Sequence, residues 1–560
     1  MKLNLKHVPF SRYGSYFSIG YPRYGEELCI RTVRGSASTS NIFHIELTYD
    51  GDVIPYEIEA TPTILKLKST NGFVEFCIAE TNLIYVRGQG VGVRLSMKPG
   101  NYDNAIPYDE TNWMVNCVSQ GIKLMLIPLI GNLKVDAPWE VDASEHIIVD
   151  FIPSKETDGL EFLIDEFLVS YKNRENIKTF DEYRQEVEYE YRTWIEDTVT
   201  VDDKYSKSGE LAGYINWSCV VEPSGHIKRP AVYMSKNWMA SIWSWDNCFN
   251  AMALAKGRPE LAWDQLMIFD DHQDDTGMYP DLINDASILW SFCKPPIQGW
   301  VFNWFEKRGY FTDKRYIEEI YPGIAKWTKW WFKYSDADSD GIPHYNHGND
   351  SGWDNSTIFS KGAPVESPDL SAFLIIQMEA LANMARQLGK MDEARDWEVK
   401  SQTTLQNMLE HFWKGDRFVA RISGSHECID TQSLQLFIPI VLGNRLPRKI
   451  ITTLVEGLKE EGRFLTPHGF ATESTKSPYY TPNGYWRGPI WPPTSLILID
   501  SLYELGEREF AKDMANRYCD MAQRSGMSEN YDALTGEGLC DRAHTWGASV
   551  FLILADEYCR

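Results

Sequence analysis

Over residues 1–172, apolar and polar positions alternate in short runs. Residues 43–49 (Phe-His-Ile-Glu-Leu-Thr-Tyr) stop at the turn pair Asp50-Gly51, and 63–68 (Thr-Ile-Leu-Lys-Leu-Lys) stop just before Asn71-Gly72, after which Phe73-Val74-Glu75-Phe76 begins. Further runs fall at 92–95, 122–126 and 147–151. A period of two sends successive side chains to opposite faces, so each run predicts a strand with one buried face, and short strands at this spacing predict an antiparallel β-sandwich. No cluster of reactive residue types lies here. The expected role is to cover and complete the other half of the chain, against an independent sugar-binding role.

The period then changes. Residues 173–204 read as a helical linker, carried by the charged run Phe180-Asp181-Glu182-Tyr183-Arg184-Gln185-Glu186-Val187. Residues 205–560 read as helices separated by loops, with helices predicted at 239–255, 287–308, 312–334, 370–388, 392–412, 448–460, 492–505, 508–524 and 546–558. About a dozen helices without intervening strands predict a mainly α domain, a toroid of paired helices. Its inner helices should be strongly apolar, and their connecting loops should gather at one end to build a pocket.

Composition narrows the partners. At 560 residues the chain exceeds one ordinary core, and a formal charge of −24 argues against nucleic acid and anionic membranes. The first residues lack the apolar run of a signal peptide, and no run of about 18 apolar residues follows. The ten cysteines show no CxxC spacing. Reduced thiols and a cytoplasmic location are therefore expected. The 20 tryptophans are the unusual number, because several stand in Gly/Pro/Asn-rich loops where flat rings serve as walls for a ligand.

Five such loops carry the chemistry. In Asn349-Asp350-Ser351-Gly352-Trp353-Asp354-Asn355-Ser356, Gly352 permits close approach and Trp353 offers an apolar wall. A carboxyl beside that wall is disposed to hold a proton and donate it, which is the role expected of Asp354. In Trp243-Ser244-Trp245-Asp246, Trp245 can stack on a ring and Asp246 can accept from a pair of hydroxyls, or Asp246 simply caps a helix. Lys294-Pro295-Pro296-Ile297-Gln298-Gly299-Trp300 offers Gln298, which both donates and accepts, and the ring of Trp300. Tyr485-Trp486-Arg487-Gly488-Pro489-Ile490-Trp491-Pro492-Pro493 reads as rigid walls, Trp486 and Trp491, with Arg487 as a fixed donor. Ser528-Glu529-Asn530-Tyr531-Asp532 supplies a second carboxylate. Glu529 is preferred over Asp532, which precedes a Leu-Thr-Gly turn that it can cap. Trp546 stands further on, after His544-Thr545. Ahead of the first loop, Asp336-Ala337-Asp338-Ser339-Asp340-Gly341 has the alternating oxygens of a calcium loop, but His347 occupies the twelfth position in place of Glu. A single structural Ca²⁺ held by Asp336, Asp338 and Asp340 is one reading, a plain acidic turn the other. No cofactor is expected in the chemistry itself.

Trp-Ser-Trp-Asp, Pro-Pro-Ile-Gln, Ser-Gly-Trp-Asp-Asn-Ser, Tyr-Trp-Arg-Gly-Pro-Ile-Trp and Glu-Asn-Tyr-Asp, in this order over about 233–558, resemble glycoside hydrolase family 63. Its mannosylglycerate and glucosylglycerate hydrolases and bacterial α-glucosidases are the similar members, with family 37 trehalases more remote. The resemblance implies an (α/α)6 barrel and hydrolysis of an α-glycoside with inversion. It also implies Asp354 as general acid and Glu529 as general base, with Trp245, Asp246, Gln298, Gly352, Trp486, Arg487, Trp491 and Trp546 around the sugar. The acidic loop recurs in relatives, some of which hold calcium there.

The expected reaction is a single displacement by an exo-acting α-glucosidase on a small α-glucoside or glucosyl conjugate. Asp354 protonates the leaving oxygen and Glu529 activates a water, which requires carboxyls about 6.5–9.5 Å apart. The alternatives are a glycoside phosphorylase on a related barrel and a non-catalytic sugar-binding protein. Glucose and mannose are not distinguished by the sequence. An Arg or Lys near the outer subsite would point to an acidic leaving group, and Lys236 and Arg487 are candidates that the sequence does not place.

Overall fold

The structure, a computed structural model, describes all residues except 36, 37 and 39. The chain forms two compact units, which do not follow from a single cut. The first takes 1–197, 213–241 and 284–287, and the second takes 198–212, 242–283 and 288–560.

The first unit is built on two antiparallel sheets. One runs Phe17–Gly20, Cys29–Thr32, Ser40–Tyr49, Gly92–Met97, Ile147–Ile152, Asn132–Asp136, with Asp52–Ile54 paired onto Ser40–Tyr49. The other runs Asn104–Pro107, Trp113–Cys117, Ile122–Ile130, Gly159–Phe167, Leu83–Gln89, Phe73–Glu80, Leu65–Lys68, Glu57–Ala60. All six predicted runs are strands. The alternation in Leu65–Lys68 is literal, with Leu65 and Leu67 fully buried and Lys68 exposed. The turn at Asp50-Gly51 takes positive φ at both residues (51° and 92°), matching the twist of the strands it joins. Between the sheets, Phe151 and Phe162 stack at 3.6 Å, closing an apolar core. Helix α1 (Phe180–Thr198) follows where the linker helix is predicted.

The second unit is helical. After α2 (Ser206–Cys219), which begins in it, come α3 (Asp246–Leu254), α4 (Pro259–Asp270), α5 (Gln298–Arg308) and α6 (Lys314–Tyr334). They are followed by α7 (Pro368–Gln387), α8 (Met391–Phe412), α9 (Arg448–Lys459), α10 (Pro492–Glu504), α11 (Arg508–Ser525) and α12 (Thr545–Glu557). A 3₁₀ stretch, Leu434–Arg445, stands between α8 and α9 and contains Pro439, which cannot donate to a regular helical ladder. Neighbouring contacts run in a closed cycle: α3 with α5, α5 with α7, α7 with Leu434–Arg445, that stretch with α10, α10 with α12, and α12 with α3. α4, α6, α8, α9 and α11 each pack against a member of this cycle. The cycle members are buried over most of their length, as in the run Val550-Phe551-Leu552-Ile553-Leu554 of α12, while α8 and α9 bury a single stripe. Gly299 lets α5 approach α7, because a Cβ there would lie 2.3 Å from the Cα of Gln377.

The expectation of no strands among the helices does not hold. Two- and three-residue strands occur throughout the loops, including a four-stranded sheet of His344–Tyr345, Val365–Glu366, Ala420–Ile422 and Cys428–Ile429. The helices predicted at 239–255 and 287–308 begin only at Asp246 and Gln298, their front halves being loop and strand. No helix among the described residues is long and apolar enough to cross a membrane.

Candidate active site

The cycle helices begin where the tryptophan-rich loops end. Asp246 opens α3, Gln298 opens α5, Trp491 immediately precedes α10, and Trp546 is the second residue of α12. Helix N-termini carry unsatisfied N–H groups and a partial positive charge, so this end of the unit suits carboxylates and oxygen-rich ligands.

Asp354 and Glu529, far apart in sequence, are joined through the loop between them. Asn355 donates to the carbonyl of Gly484 (3.0 Å) and accepts from the Trp486 N–H (2.9 Å), while its carbonyl takes the Arg487 Nε–H (2.7 Å). Further along that loop, Ile490 exchanges two backbone hydrogen bonds with Tyr531 (2.7 and 2.9 Å), two residues after Glu529. Glu529 is buried, and one of its carboxyl oxygens accepts the Asp541 N–H at 3.4 Å. Its backbone is fixed by its N–H to the Asp541 carbonyl and by the Trp546 indole N–H donating to its own carbonyl at 3.0 Å. Asp354 is half-buried. Tyr485 lies in the field of several acids: burial pushes its phenol far up, and Glu529, Asp354 and Asp246 each push it further.

An indole ladder backs this arrangement. Trp353 lies 4.8 Å from Trp486, Trp486 stacks on Trp491 at 3.8 Å and 7°, and Trp491 meets Trp546 edge-on at 5.3 Å. Trp245 faces both Trp486 (6.4 Å) and Trp546 (6.5 Å). Gly352 has φ 71°, and a Cβ there would meet the Trp245 ring at 2.6 Å, so this glycine is what lets Trp245 seat on the Asp354 loop.

Two polar groups at the helix starts of this end are short of partners. Asp246 is buried with Oδ2 lacking a hydrogen bond, and burial pushes its carboxyl up to about 8 against the pull of Lys294. Oε1 of buried Gln298 likewise lacks one. Buried acceptors without donors are costly, and sugar hydroxyls are the kind of donor they fit.

Sequence reasoning missed Lys294 and Asp281, both buried. Lys294 Nζ is 2.8 Å from Asp281 Oδ1 and donates to the Asn349 carbonyl (3.1 Å) and side-chain oxygen. Burial pulls its ammonium down, but Asp281, Asp354 and Asp246 outweigh burial and hold it above its ordinary value. A lysine directly before Pro-Pro was the available signal.

Three expectations are corrected by position. Trp491 has no accessible surface and lies behind Trp486 and Trp546; Trp486, at 1% exposed, is nearly as enclosed. Trp300 turns its indole N–H to Asp500 (3.2 Å) and lines a separate cavity of about 580 Å³, with Glu379, Arg445 and Glu504 on its walls and neither Asp354 nor Glu529 among them. Lys236 is buried in the first unit, where Ser11 Oγ (3.1 Å) and the carbonyls of Arg12 (3.3 Å), Ser15 and Val220 (3.2 Å) take its ammonium. Arg487, the other cation considered for an acidic leaving group, is half-buried and committed through Nε to the Asn355 carbonyl. Asp532 caps its turn, accepting from the N–H groups of Leu534 and Thr535.

Two groups that share Asp340 have metal-ligand geometry among the described residues. One is Asp336, Asp338 and Asp340, and the other is Asp340, Glu366, His411 and His426.

The mannosylglycerate hydrolase MGH1-like glycoside hydrolase domain matches residues 239–547. A mannosylglycerate hydrolase from Thermus thermophilus is 21% identical, over 55% of this chain and 93% of its own. The crystal structure of a GH63 mannosylglycerate hydrolase from Thermus thermophilus in complex with glucose superposes with a TM-score of 0.53 at 20% identity, covering 61% of this chain and 98% of that one. A bacterial glucoamylase complexed with acarbose aligns over 98% of this chain and 93% of its own, with a TM-score of 0.64 at 12% identity. That last likeness shows a shared fold, a β-sheet domain followed by a helical one.

Proposed function

The chain belongs to the mannosylglycerate hydrolase MGH1-like glycoside hydrolases of family 63 and is a glycosidase, and from that premise we propose that it is an exo-acting α-glucosidase which hydrolyses a small α-glucoside or glucosyl conjugate with inversion. Asp354 gives its proton to the glycosidic oxygen. Glu529, ionised, takes a proton from the water that attacks the anomeric carbon on the opposite face. Two carboxyls suffice for both proton transfers, so no metal is needed in the step.

The observation that carries this reading is the joining of both carboxyl-bearing segments to one loop, 484–491, with Tyr485 in the field of both carboxyls. Asp246 and Gln298 are the acceptors for the sugar hydroxyls, with Trp245, Trp353, Trp486 and Trp546 as its apolar surround. The closed cycle of six segments supports an (α/α)6 barrel for the helical unit. A cytoplasmic location belongs to the same reading, supported by ten cysteines that form no disulfide among the described residues.

The test is a panel of α-glucosides, α-mannosides and glycerate conjugates assayed with wild type, Asp354→Asn and Glu529→Gln. Each variant is expected to lose about 10²–10⁴-fold in kcat on the best substrate. A wild-type kcat in Asp354→Asn ends the assignment of the acid, and turnover that requires phosphate ends the hydrolase reading.

A further inference from the structure

Two thiols meet where α11 packs beside the chain that leaves α12. Cys519 lies within α11 and is fully buried, while Cys559 stands two residues past the end of α12 and is half-buried. Their sulfurs are 3.7 Å apart, and both residues belong to the second compact unit. We propose that Cys559 and Cys519 form an oxidation site, a peroxide-reactive thiol with its resolving partner, whose disulfide staples α11 to the chain beyond α12.

The two thiols are not equivalent. The thiolate is the nucleophilic form, and neighbouring donors and cations favour it. Lys204 and Tyr205, in the turn before α2, supply such neighbours: Lys204 Nζ donates to the Tyr205 hydroxyl at 2.9 Å and pairs with Asp520 at 2.6 Å, next to Cys519 in α11. The Cys519 thiol, then Tyr205 and Lys204, draw the Cys559 thiol below its ordinary value against burial and Asp520. Burial holds Cys519 well above its own. Cys77, Cys117 and Cys248 are also pushed up by burial, as thiols that serve only packing should be. A half-buried thiol with a lowered pKa beside a buried second thiol is the arrangement that peroxide oxidation turns into a disulfide.

The step balances with one peroxide. The Cys559 thiolate attacks one oxygen of hydrogen peroxide and the O–O bond breaks. The sulfur becomes a sulfenic acid, and the departing hydroxide takes up the proton that the thiol released. The Cys519 sulfur then attacks the Cys559 sulfur, the S–O bond breaks, and hydroxide leaves with the Cys519 proton as water. Two thiols and one peroxide give one disulfide and two waters, with two electrons passing from sulfur to oxygen. The sulfurs must close to about 2.05 Å. Cys559, beyond the last turn of α12, can make that approach without opening the helix.

The cross-link would enclose residues 519–559. That segment carries Glu529 and also Trp546, whose indole N–H holds the Glu529 carbonyl. Closing a loop of this length removes freedom from the unfolded chain. The oxidised form should therefore keep α11, α12 and the segment between them together at temperatures where the reduced form opens, whichever reaction the carboxyls perform.

The test uses the full-length chain, reduced with dithiothreitol, desalted and treated with hydrogen peroxide. Non-reducing peptide mapping is expected to find Cys519 joined to Cys559. Intact mass should fall by two hydrogens and Tm should rise by several degrees, both reversed by dithiothreitol. Cys519→Ser should leave Cys559 as a sulfenic acid that dimedone labels, and Cys559→Ser should give neither that label nor the cross-link. The wild-type peptide map needs no variant, so it decides the matter even where a serine variant fails to fold. Absence of the 519–559 cross-link at peroxide levels that convert free cysteine to cystine, or Cys559 carried to sulfinic acid beside an unmodified Cys519, overturns the site. An unchanged Tm in the cross-linked chain overturns the staple.

Discussion

Asp246 is where burial bears most directly on the proposed sugar contact. Its carboxyl, raised to about 8 by burial, keeps one oxygen without a protein donor at the mouth of α3. Asp246→Asn should leave the fold intact and lower kcat/KM by about 10–100-fold, the worth of a hydrogen bond to a charged or polarised group. Unchanged kcat/KM would remove Asp246 from the sugar site. His544 makes a complementary point about stability. It is fully buried beside Trp546 (4.6 Å), and burial lowers it from 6.5 to about 3. A base whose folded value is depressed contributes its full stability above the unfolded value and loses it as the pH falls, here from about 6.5 towards 3. The pH dependence of urea unfolding should therefore be flatter in His544→Gln over that window, and equal slopes would contradict the account. At this scale the sequence singled out the segments around Asp354 and Asp246 because they carry tryptophans, which Gly/Pro/Asn-rich loops seldom collect. What a residue type does not disclose is the direction its ring faces. Trp491 and Trp300 carried the same sequence signal as Trp486, yet one is enclosed behind it and the other turns to Asp500. Lys294 was overlooked because its partner Asp281 comes from another loop.

Helix bounds were readable both where one face is polar and, at Pro492–Glu504 and Thr545–Glu557, where the helix is apolar nearly all round. Lys314–Tyr334, Met391–Phe412 and Arg448–Lys459 fall within two residues of the expected bounds, since each carries a clear stripe. Pro259–Asp270 was not among the expected helices, and its weak period does not by itself account for that, because Pro492–Glu504 and Thr545–Glu557 are as apolar and were expected. The two-residue strands were invisible, being too short to alternate. The packing of α5 against α7 gives a prediction of its own. Gly299→Ala places a methyl 2.3 Å from the Gln377 backbone, which no side-chain rotation relieves. It should destabilise by about 1–3 kcal/mol, read as a lowered Tm, and it should weaken substrate binding through the adjacent Gln298. An unchanged Tm would show that the two helices are not held at this spacing.

For the whole molecule, the sheet-then-helix order was plain from the change of period, but the division into units was not. A shift in composition marks one cut in the chain, whereas 213–241 and 284–287 belong with the sheets although helices precede and follow them. In the helical unit, the tryptophan-rich loops stand at the starts of the cycle helices and their indoles meet one another, and in the proposed reading the two acids share those walls. The central claim is that these two acids act on opposite faces of the sugar with a water between them, and the stereochemistry of the product tests it most directly. Proton NMR of the first turnovers on an α-glucoside should show the β-anomer forming first and then mutarotating. The α-anomer appearing first would mean retention, and would contradict the assignment of Glu529 as a base acting through water.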